Sequence, residues 1–288
     1  MKRAVIFAHY DKDGIVAPYV AYYLHALKGL CDHLVCVSTA SLPEDEIRKL
    51  SVHCDKVIVR ENEGYDFMSY KAGLESFDHY DYDEVLFCND SVYGPLFDLA
   101  PIFEKMDKER CDFWGMTQSD EIAYHLQSYF MLFKRSALHS DAFDTFWNGV
   151  ETLRHKEEII QRYEVGLTSS LQKAGLTASA YATPQPNLWQ KIILAGRKLT
   201  PKRIFRKLFS LLQGKSALPS LHRINITLTL WEELICKSGM PFIKVSLLRD
   251  NPNRVPVDHI YDLISAVCDY DISLIREHQE RIKPRMDI

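Results

Sequence analysis

The chain has 288 residues, of which 47% are hydrophobic and 26% are charged, and its formal net charge is −4. That length can bury a large core, and the near-balanced charge gives no global bias toward nucleic acid, so we predict no nucleic-acid partner. The seven cysteines are odd in number and include no Cys-x-x-Cys pair. This pattern favours reduced thiols in a cytoplasmic protein over a disulfide framework or a zinc site.

Neither a signal peptide nor a spanning helix is expected. The amino terminus becomes polar at His9, too early for the apolar region of a signal peptide. The longest uncharged apolar stretch, 15–27, is shorter than the roughly 20 residues that cross a bilayer.

Short apolar runs alternate with helical patterns over the first third of the chain. The predicted elements are strands at 4–8, 33–37, 56–59 and 85–88, and helices at 15–27, 43–50 and 67–77. Such alternation with short connections is typical of a parallel sheet with helices on both faces. The predicted fold class is α/β, with a mostly parallel, Rossmann-like sheet.

The pattern loosens after residue 94. The elements predicted there are a helix at 96–106, strands at 112–115 and 128–133, helices at 141–153 and 155–173, and an edge strand at 177–180. Two prolines in 183–187 favour a domain boundary, because they sustain neither helix nor ladder. We predict a catalytic domain at 1–186 and a basic, mainly helical extension at 187–288. The extension is predicted to contain a helix at 226–237, a strand-like piece at 241–248 and a helix at 257–275.

The strand predicted at 85–88 ends on Asn89, Asp90 and Ser91. Ligands of open α/β sheets bind outside the carboxyl ends of the strands, where a carboxylate can meet a substrate or a metal. A hard cation that bridges a diphosphate needs anionic oxygen ligands at such a place. Asp90 is the candidate for that role, and the alternative is that it caps a helix or tightens the turn.

Three Asp-x-Asp pairs occur, and their positions distinguish them. The pairs at 81–83 and 269–271 precede a strand or fall in or after the last helix, whereas Asp11 directly follows the first strand. Asp11 is therefore predicted on the ligand side of the sheet, together with His9 and Tyr10. The alternative is a turn and helix start.

The loop after the third strand and the helix that follows it are rich in polar and aromatic side chains: Arg60, Asn62, Gly64, Asp66, Tyr70 and Lys71. Such a set can hydrogen-bond a base or ribose and balance phosphate charge. A capped helix start explains Gly64 and Asp66 without a function, but it does not explain the whole cluster.

Five motifs follow one another along nearly the whole chain: Arg60-x-Asn62-x-Gly64-Tyr65-Asp66, Asn89-Asp90-Ser91-x-Tyr93-Gly94-Pro95, Asp112-Phe113-Trp114-Gly115-x-Thr117, His125-Leu126-Gln127-Ser128-Tyr129-Phe130, and Trp231-x3-Ile235 with Pro241-Phe242-Ile243-Lys244. Together they resemble the rhamnan synthesis F family. The resemblance implies a GT-A type glycosyltransferase that uses a sugar nucleotide to build bacterial cell-surface polysaccharide, commonly with rhamnose. It also implies that Asp90 holds Mg²⁺ or Mn²⁺ on the nucleotide diphosphate, although this motif has one carboxylate rather than two.

A glycosyltransferase of this type that inverts configuration needs a carboxylate base for the acceptor hydroxyl. Glu164 lies where such enzymes carry their acidic base motif, so it is the candidate base. Asp120 and Glu121 are competing bases, and the alternative for Glu164 is an ordinary exposed helix residue.

The resemblance also implies roles for other polar residues. The acceptor groove is predicted to include Trp114, His125, Gln127 and Ser128. Lys244 and Arg249 are predicted to reach the diphosphate, with surface cations as the alternative.

One segment is strongly basic. Residues 187–217 contain no acidic side chain and eight basic ones: Lys191, Arg197, Lys198, Lys202, Arg203, Arg206, Lys207 and Lys215. Within it, 202–212 alternates basic and apolar pairs, as in a helix that binds an anionic membrane surface. The alternative is a helix docked on the catalytic domain.

The sequence therefore predicts a cytoplasmic glycosyltransferase, and the membrane interpretation of 202–212 places it peripherally on the inner face of the plasma membrane. The predicted donor is a nucleoside diphosphate sugar, dTDP-rhamnose by preference, and the predicted acceptor is a glycan or lipid-linked oligosaccharide. Two alternatives remain open: a nucleotidyltransferase of similar sheet topology, and a non-catalytic module that binds a nucleotide or glycan.

Overall fold

The computed structural model describes residues 1–184 and 225–282. The basic segment 187–217, including 202–212, lies outside the described residues. The boundary predicted at 183–187 lies partly outside them.

Within the described residues, eight strands form one sheet in the order β3–β2–β1–β4–β8–β6–β7, with β9 paired to β6. These strands are β1 (Arg3–His9), β2 (His33–Ser38), β3 (Lys56–Val59), β4 (Glu84–Asn89), β6 (Phe113–Ser119), β7 (His125–Leu126), β8 (Phe130–Lys134) and β9 (Ala178–Ala182). Strands β1 to β4 pair in parallel, and β8 runs antiparallel to both β4 and β6. Two short strands, β5 (Val92–Tyr93) and β10 (Ile243–Lys244), form a separate antiparallel pair.

The central strands are buried on both faces, as their continuous apolar runs predict. Alternate residues of β1 enter two cores: Val5 and Phe7 lie in one, and Ile6 and Ala8 in the other. Every residue of β1 and of β4 is buried. The polar residues that follow these two strands are therefore held on a rigid support.

Helices cover both faces of the sheet. They are α1 (Pro18–Lys28), α2 (Glu44–Ser51), α3 (Tyr65–Leu74), α4 (Ala100–Asp107), α5 (Arg135–Leu138), α6 (Asp141–Asn148), α7 (Lys156–Ile159), α8 (Gly166–Lys173), α9 (Ile226–Thr229), α10 (Trp231–Ser238), α11 (Val245–Arg249), α12 (Ile260–Val267) and α13 (Ser273–Ile282). Buried residues of α1, α4, α10, α12 and α13 join the core that contains Phe7, whereas those of α3, α6 and α8 join the core that contains Ile6. The predicted α/β class is confirmed, and the described part of the extension is mainly helical.

Four predicted elements are wrong in part. The helix predicted at 226–237 is interrupted at Leu230, between α9 and α10. The helix predicted at 141–153 ends at Asn148. The strand-like piece at 241–248 is a two-residue strand followed directly by α11, because only Ile243–Lys244 pairs with β5. The helix predicted at 257–275 is interrupted, since Cys268 adopts an extended backbone after α12 and α13 begins only at Ser273.

The extension packs against the residues that follow β4. Gly94 has φ +130°, and a Cβ there would lie 2.2 Å from the carbonyl oxygen of Pro241. The Leu96 N–H donates to that same oxygen at 2.8 Å. Only glycine allows these two backbone segments to approach so closely. The contact places Lys244 beside the end of β4 that carries Asp90.

Candidate functional site

Two adjoining clefts lie at the carboxyl ends of the parallel strands. From β1 the chain adds β2 and β3 on one side of the sheet and then β4 on the other side. Open α/β sheets bind ligands where the strand order reverses in this way, here between β1 and β4. The larger cleft, about 920 Å³, follows β1 and β4 and is called the central cleft. The smaller, about 780 Å³, lies beside the loop after β3 and is called the loop cleft. Tyr10 and Asp66 line both clefts.

Asp90 lies in the central cleft directly after β4. Its Oδ2 accepts the Tyr10 N–H at 2.7 Å, and its backbone carbonyl accepts the Tyr19 hydroxyl at 2.9 Å. Burial raises the pKa of Asp90 well above its ordinary value; the Tyr10 N–H opposes this rise, and the charges of Asp66 and Asp11 add to it. The carboxylate therefore lies in a place where a bound positive charge would be stabilised.

Asp11 also lines the central cleft, but a cation already neutralises it. Arg281 of α13 forms two hydrogen bonds with its carboxylate and a further one with Asp13 at 2.8 Å. Burial alone would raise the pKa of Asp11, yet the hydrogen bonds from Arg281 and from the Asp13 N–H hold it below its ordinary value. Asp11 is thus fixed as an anion that ties β1 to the last helix.

The residues beside Asp90 form a connected polar chain. Asn89 Nδ2 donates to Asp66 Oδ2 at 2.8 Å, and Asn89 Oδ1 accepts the Ser91 hydroxyl at 2.6 Å. Lys244 Nζ donates to Ser91 Oγ at 3.3 Å and lies 3.9 Å from the centre of the Tyr129 ring. These hydrogen bonds hold four predicted site residues together at one edge of the central cleft: Asp66, Asn89, Ser91 and Lys244.

Arg249 lines the central cleft as well. Its guanidinium pairs with the neighbouring Asp250 at 2.8 Å. Both cations predicted to reach a diphosphate, Lys244 and Arg249, therefore lie in the same cleft as Asp90.

The loop cleft is shaped by the turn into α3. Gly64 has φ +70°, and a Cβ there would lie 2.2 Å from Met68 Cγ. Tyr65 also has a positive φ, +54°, which non-glycine residues adopt at a cost and usually where function requires it. Asn62, Gly64 and Asp66 line the cleft as predicted, and Arg154 lies on its wall without a sequence signal.

Glu164 lies in the central cleft on a π-helical turn, Ile160–Val165, between α7 and α8. Such turns inside α-helices are frequent at functional sites. One carboxylate oxygen accepts the Ser128 hydroxyl, and the other lies 4.0 Å from His125 Nε2. His125 Nδ1 donates to the Ala123 carbonyl at 2.8 Å, so Nε2 is the nitrogen that faces Glu164.

The competing carboxylates differ in placement. Glu121 lines the central cleft and accepts the Asn225 amide at 3.3 Å, whereas Asp120 is exposed and is not part of the cleft wall. Gln127 lines the cleft too, with its carbonyl oxygen held by the Thr117 hydroxyl at 2.7 Å. Ser128 and His125 thus lie beside Glu164, and Gln127 lines the same cleft.

Three residues predicted to touch ligand are instead core residues. Tyr70 is fully buried and donates its hydroxyl to the Ser128 carbonyl at 2.8 Å. Trp114 is fully buried against Phe103. His9 is buried with Nδ1 2.9 Å from Ser38 Oγ, and burial lowers its pKa to about 4. None of these three residues lines either cleft. Their predicted ligand contacts are therefore corrected: they support the site from within the core.

Two cations are also placed away from the clefts. Arg60 donates to Ser69 Oγ at 3.1 Å and to the Glu63 carbonyl, so it shapes the loop from within. Lys71 donates to the carbonyls of Asn148 and Val150 at 3.2 and 2.8 Å. Direct phosphate contacts by Arg60 and Lys71 are therefore not supported by their positions.

The donor set fits a divalent cation that is shared with a bound diphosphate. The described residues contain no group of three or more His, Cys, Asp or Glu side chains arranged to hold a metal. Mg²⁺, however, is commonly held by one or two carboxylates together with substrate phosphates. Asp90 and Asp66 supply two carboxylates in the central cleft, and within the described residues no Lys or Arg forms an ion pair with Asp90.

Sequence reasoning missed several residues of the central cleft region, among them Tyr19, His278 and Arg281. Tyr19 reads as part of the apolar face of α1, and the other two lie beyond the predicted end of the last helix. Arg281 meets Asp11 across 270 positions of sequence, a contact that no local pattern indicates.

Comparison with known proteins gives the relationship of the chain. The sequence profile of rhamnan synthesis protein F matches residues 34–196. "Virulence protein VirA" of Vibrio anguillarum is 30% identical over 267 residues, which cover 88% of this chain and 82% of VirA. "Uncharacterized protein y4gN" of Sinorhizobium fredii is 28% identical over 183 residues, 61% of this chain and 47% of that protein.

Among solved structures, the glycosyltransferase GlyE of Streptococcus pneumoniae TIGR4 aligns with 100% of this chain and 66% of its own, at 15% identity and a TM-score of 0.42. No helix in the described part of the chain is both long and apolar enough to cross a membrane. The profile match spans more than half of the chain and shows that the chain belongs to the rhamnan synthesis protein F family.

Proposed function

We propose that the protein is a glycosyltransferase that moves a sugar from a nucleoside diphosphate donor to a cell-surface polysaccharide or lipid-linked glycan. Family membership supports glycosyl transfer, and rhamnose, carried as dTDP-rhamnose, is the preferred sugar. The observation that carries the proposal is the central cleft, in which Asp90 at the strand end and Glu164 on the π-helical turn line one space.

The loop cleft is the proposed nucleoside site. It offers the Asn62 amide, the Asp66 carboxylate and the exposed rings of Tyr10 and Tyr65. An amide can read the edge of a base, a carboxylate can accept ribose hydroxyls, and aromatic rings can stack on a base. Tyr10 and Asp66 also line the central cleft, so a donor could extend from one cleft into the other.

In the proposed reaction an acceptor hydroxyl attacks the anomeric carbon of the donor sugar. The bond from that carbon to the diphosphate oxygen breaks, and the nucleoside diphosphate leaves with the electron pair. Glu164 takes the hydroxyl proton, while the Ser128 hydroxyl holds one of its oxygens in place. This arrangement supports an inverting reaction on the side of the cleft that carries His125 and Gln127.

The leaving diphosphate needs compensation for its charge. Lys244 and Arg249 line the same cleft and can supply part of it. Mg²⁺ or Mn²⁺ held by Asp90 with Asp66 would, when bound, neutralise the diphosphate further.

We propose that the enzyme is cytoplasmic and attaches peripherally to the anionic inner face of the plasma membrane. Residues 202–212 of the basic segment support this attachment. They lie outside the described residues, so their composition alone supports this part of the proposal. A lipid-linked acceptor would then be reached without a membrane span.

A screen of nucleoside diphosphate sugars tests the proposal. A donor at 100 times its dissociation constant should stabilise the protein by about 2.7 kcal/mol, which thermal unfolding detects. The donor that stabilises should release free nucleoside diphosphate on turnover with an acceptor glycan. Release of pyrophosphate would instead support the nucleotidyltransferase alternative, and binding without turnover would support the non-catalytic module.

A further inference from the structure

His278 is a buried histidine at the wall of the central cleft. It lies on α13 with 7% of its surface exposed. Its ring packs against Tyr19, with centroids 4.6 Å apart, and against Tyr93 at 5.7 Å. Because Tyr19 donates its hydroxyl to the Asp90 backbone carbonyl, the histidine ring is held next to the strand end that carries Asp90.

A two-step hydrogen-bond chain fixes the tautomer of His278. Gln279 Nε2 lies 2.6 Å from the Tyr93 hydroxyl oxygen, and an amide nitrogen can only donate, so that oxygen accepts. The Tyr93 O–H is then left to donate to His278 Nδ1, 2.7 Å away. With Nδ1 acting as an acceptor, the ring proton resides on Nε2.

The Nε2–H has no hydrogen-bond acceptor among the described residues, although His278 lines the central cleft. Both signs of charge line this cleft: the cations Lys12, Lys244 and Arg249, and the carboxylates Asp11, Asp66, Asp90, Glu121, Glu164 and Asp250. Burial, and then the charge of Arg281, lowers the pKa of His278 to about 4, so the ring is neutral near pH 7. An N–H donor bonds most strongly to a charged oxygen. The charged groups that act on this ring are two cations, Arg281 and Arg249, and one carboxylate, Asp11, which Arg281 already pairs.

We infer that His278 donates its Nε2–H to the leaving diphosphate, and that Tyr93 and Gln279 are positioning residues that hold this donor in place. The inference rests on the proposed function for the identity of the anion. It adds a diphosphate contact from the last helix, so the donor site is complete only when α13 is docked on α1.

Inorganic pyrophosphate is the probe, because it carries the diphosphate without a base or a sugar. Binding is measured by calorimetry on the full chain in EDTA, with His278→Ala, His278→Gln and wild type compared. His278→Ala should bind about tenfold more weakly, whereas His278→Gln, whose amide N–H lies near the position of Nε2, should retain most of the affinity. His25→Gln, an exposed histidine on α1 away from both clefts, is the matched control and should bind as wild type.

Tyr93→Phe separates positioning from contact. It removes the donor to Nδ1, so it should weaken pyrophosphate binding less than His278→Ala and should add no further loss to that variant. Thermal unfolding of each variant shows whether it is folded, and His278→Gln keeps the test valid if His278→Ala is not.

Equal pyrophosphate affinity of wild type and His278→Ala in EDTA would overturn the inference. So would an effect of His278 that appears only when Mg²⁺ or Mn²⁺ is added, since that result would make the ring a metal ligand. If the protein binds pyrophosphate through His278 but transfers no sugar from any donor, the proposed function fails while the anion site stands.

Discussion

The ion pair between Arg281 and Asp11 offers a direct test of how the last helix is held on the sheet. Arg281→Met keeps the length of the side chain and leaves the Asp11 carboxylate buried without its cation. The Asp11 side chain is 7% exposed and that of Arg281 is 24% exposed, so the pair lies between the buried and the surface classes. Breaking buried pairs costs about 3–5 kcal/mol and exposed pairs about 0–1 kcal/mol, so we expect a loss of about 2 kcal/mol.

Thermal unfolding at pH 7 should show this loss as a decrease in Tm of about 5 °C. The difference between wild type and variant should also depend on pH. Because Arg281 lowers the pKa of Asp11, the stabilisation is present above the ordinary aspartate pKa and is lost as pH falls through the folded-state pKa. The difference should therefore begin to shrink below the ordinary aspartate pKa of about 3.9, and the two proteins should converge only once the pH is below the lower, folded-state pKa of Asp11.

Two further variants make the result interpretable. Asp11→Asn combined with Arg281→Met leaves no unpaired charge and should recover part of the lost stability. Arg276→Met, an exposed arginine on the same helix whose guanidinium lies 4.9 Å from the centre of the Tyr261 ring, should change stability by less than about 1 kcal/mol. If Arg281→Met unfolds at the wild-type temperature, or if the double variant is no better than the single one, the pair does not hold the helix as described.

Three more predictions concern catalysis and membrane binding. Asp90→Ala should lower turnover by about two orders of magnitude or more, about 2.7 kcal/mol, because a donor or cation contact is lost; near-normal activity with the correct donor would show that Asp90 is not central. Glu164→Gln should lower kcat while leaving donor affinity nearly unchanged, and an unchanged rate would transfer the base role to Glu121. Anionic liposomes should sediment the protein at low salt and less at high salt, and binding should disappear when four residues of 202–212 become Gln: Lys202, Arg203, Arg206 and Lys207. Sedimentation that ignores both lipid charge and these changes would leave this segment without a membrane role.

The strand ends were predictable from the sequence because the signal is local. An apolar run buried on both faces must be followed by polar residues at the edge of the sheet, and this rule located Asp11, Asn89 and Asp90. The loop with Asn62 and Asp66 was placed at the same edge because it follows the third strand of the predicted parallel sheet. In the structure Asp11, Asn89 and Asp90 line the central cleft, Asn62 lines the adjoining loop cleft, and Asp66 lines both.

Contacts over long sequence distances were not predictable in the same way. Arg281 and Asp11 are 270 positions apart, and the helix that carries Arg281 begins only after an extended break at Cys268. Polarity within a motif also predicted the wrong role for Tyr70, since an aromatic hydroxyl can donate to a backbone carbonyl inside the core. Burial, which decided that case, depends on the tertiary packing.

The most direct test of the central claim is to identify the products of a single turnover reaction. The protein is incubated with a nucleoside diphosphate sugar that stabilises it and with an acceptor glycan, and the phosphorus-containing products are resolved by nuclear magnetic resonance. We predict free nucleoside diphosphate in an amount equal to the glycosylated acceptor, and neither product from Asp90→Ala. Pyrophosphate as the product, or an intact sugar nucleotide after long incubation with every donor that binds, would contradict glycosyl transfer.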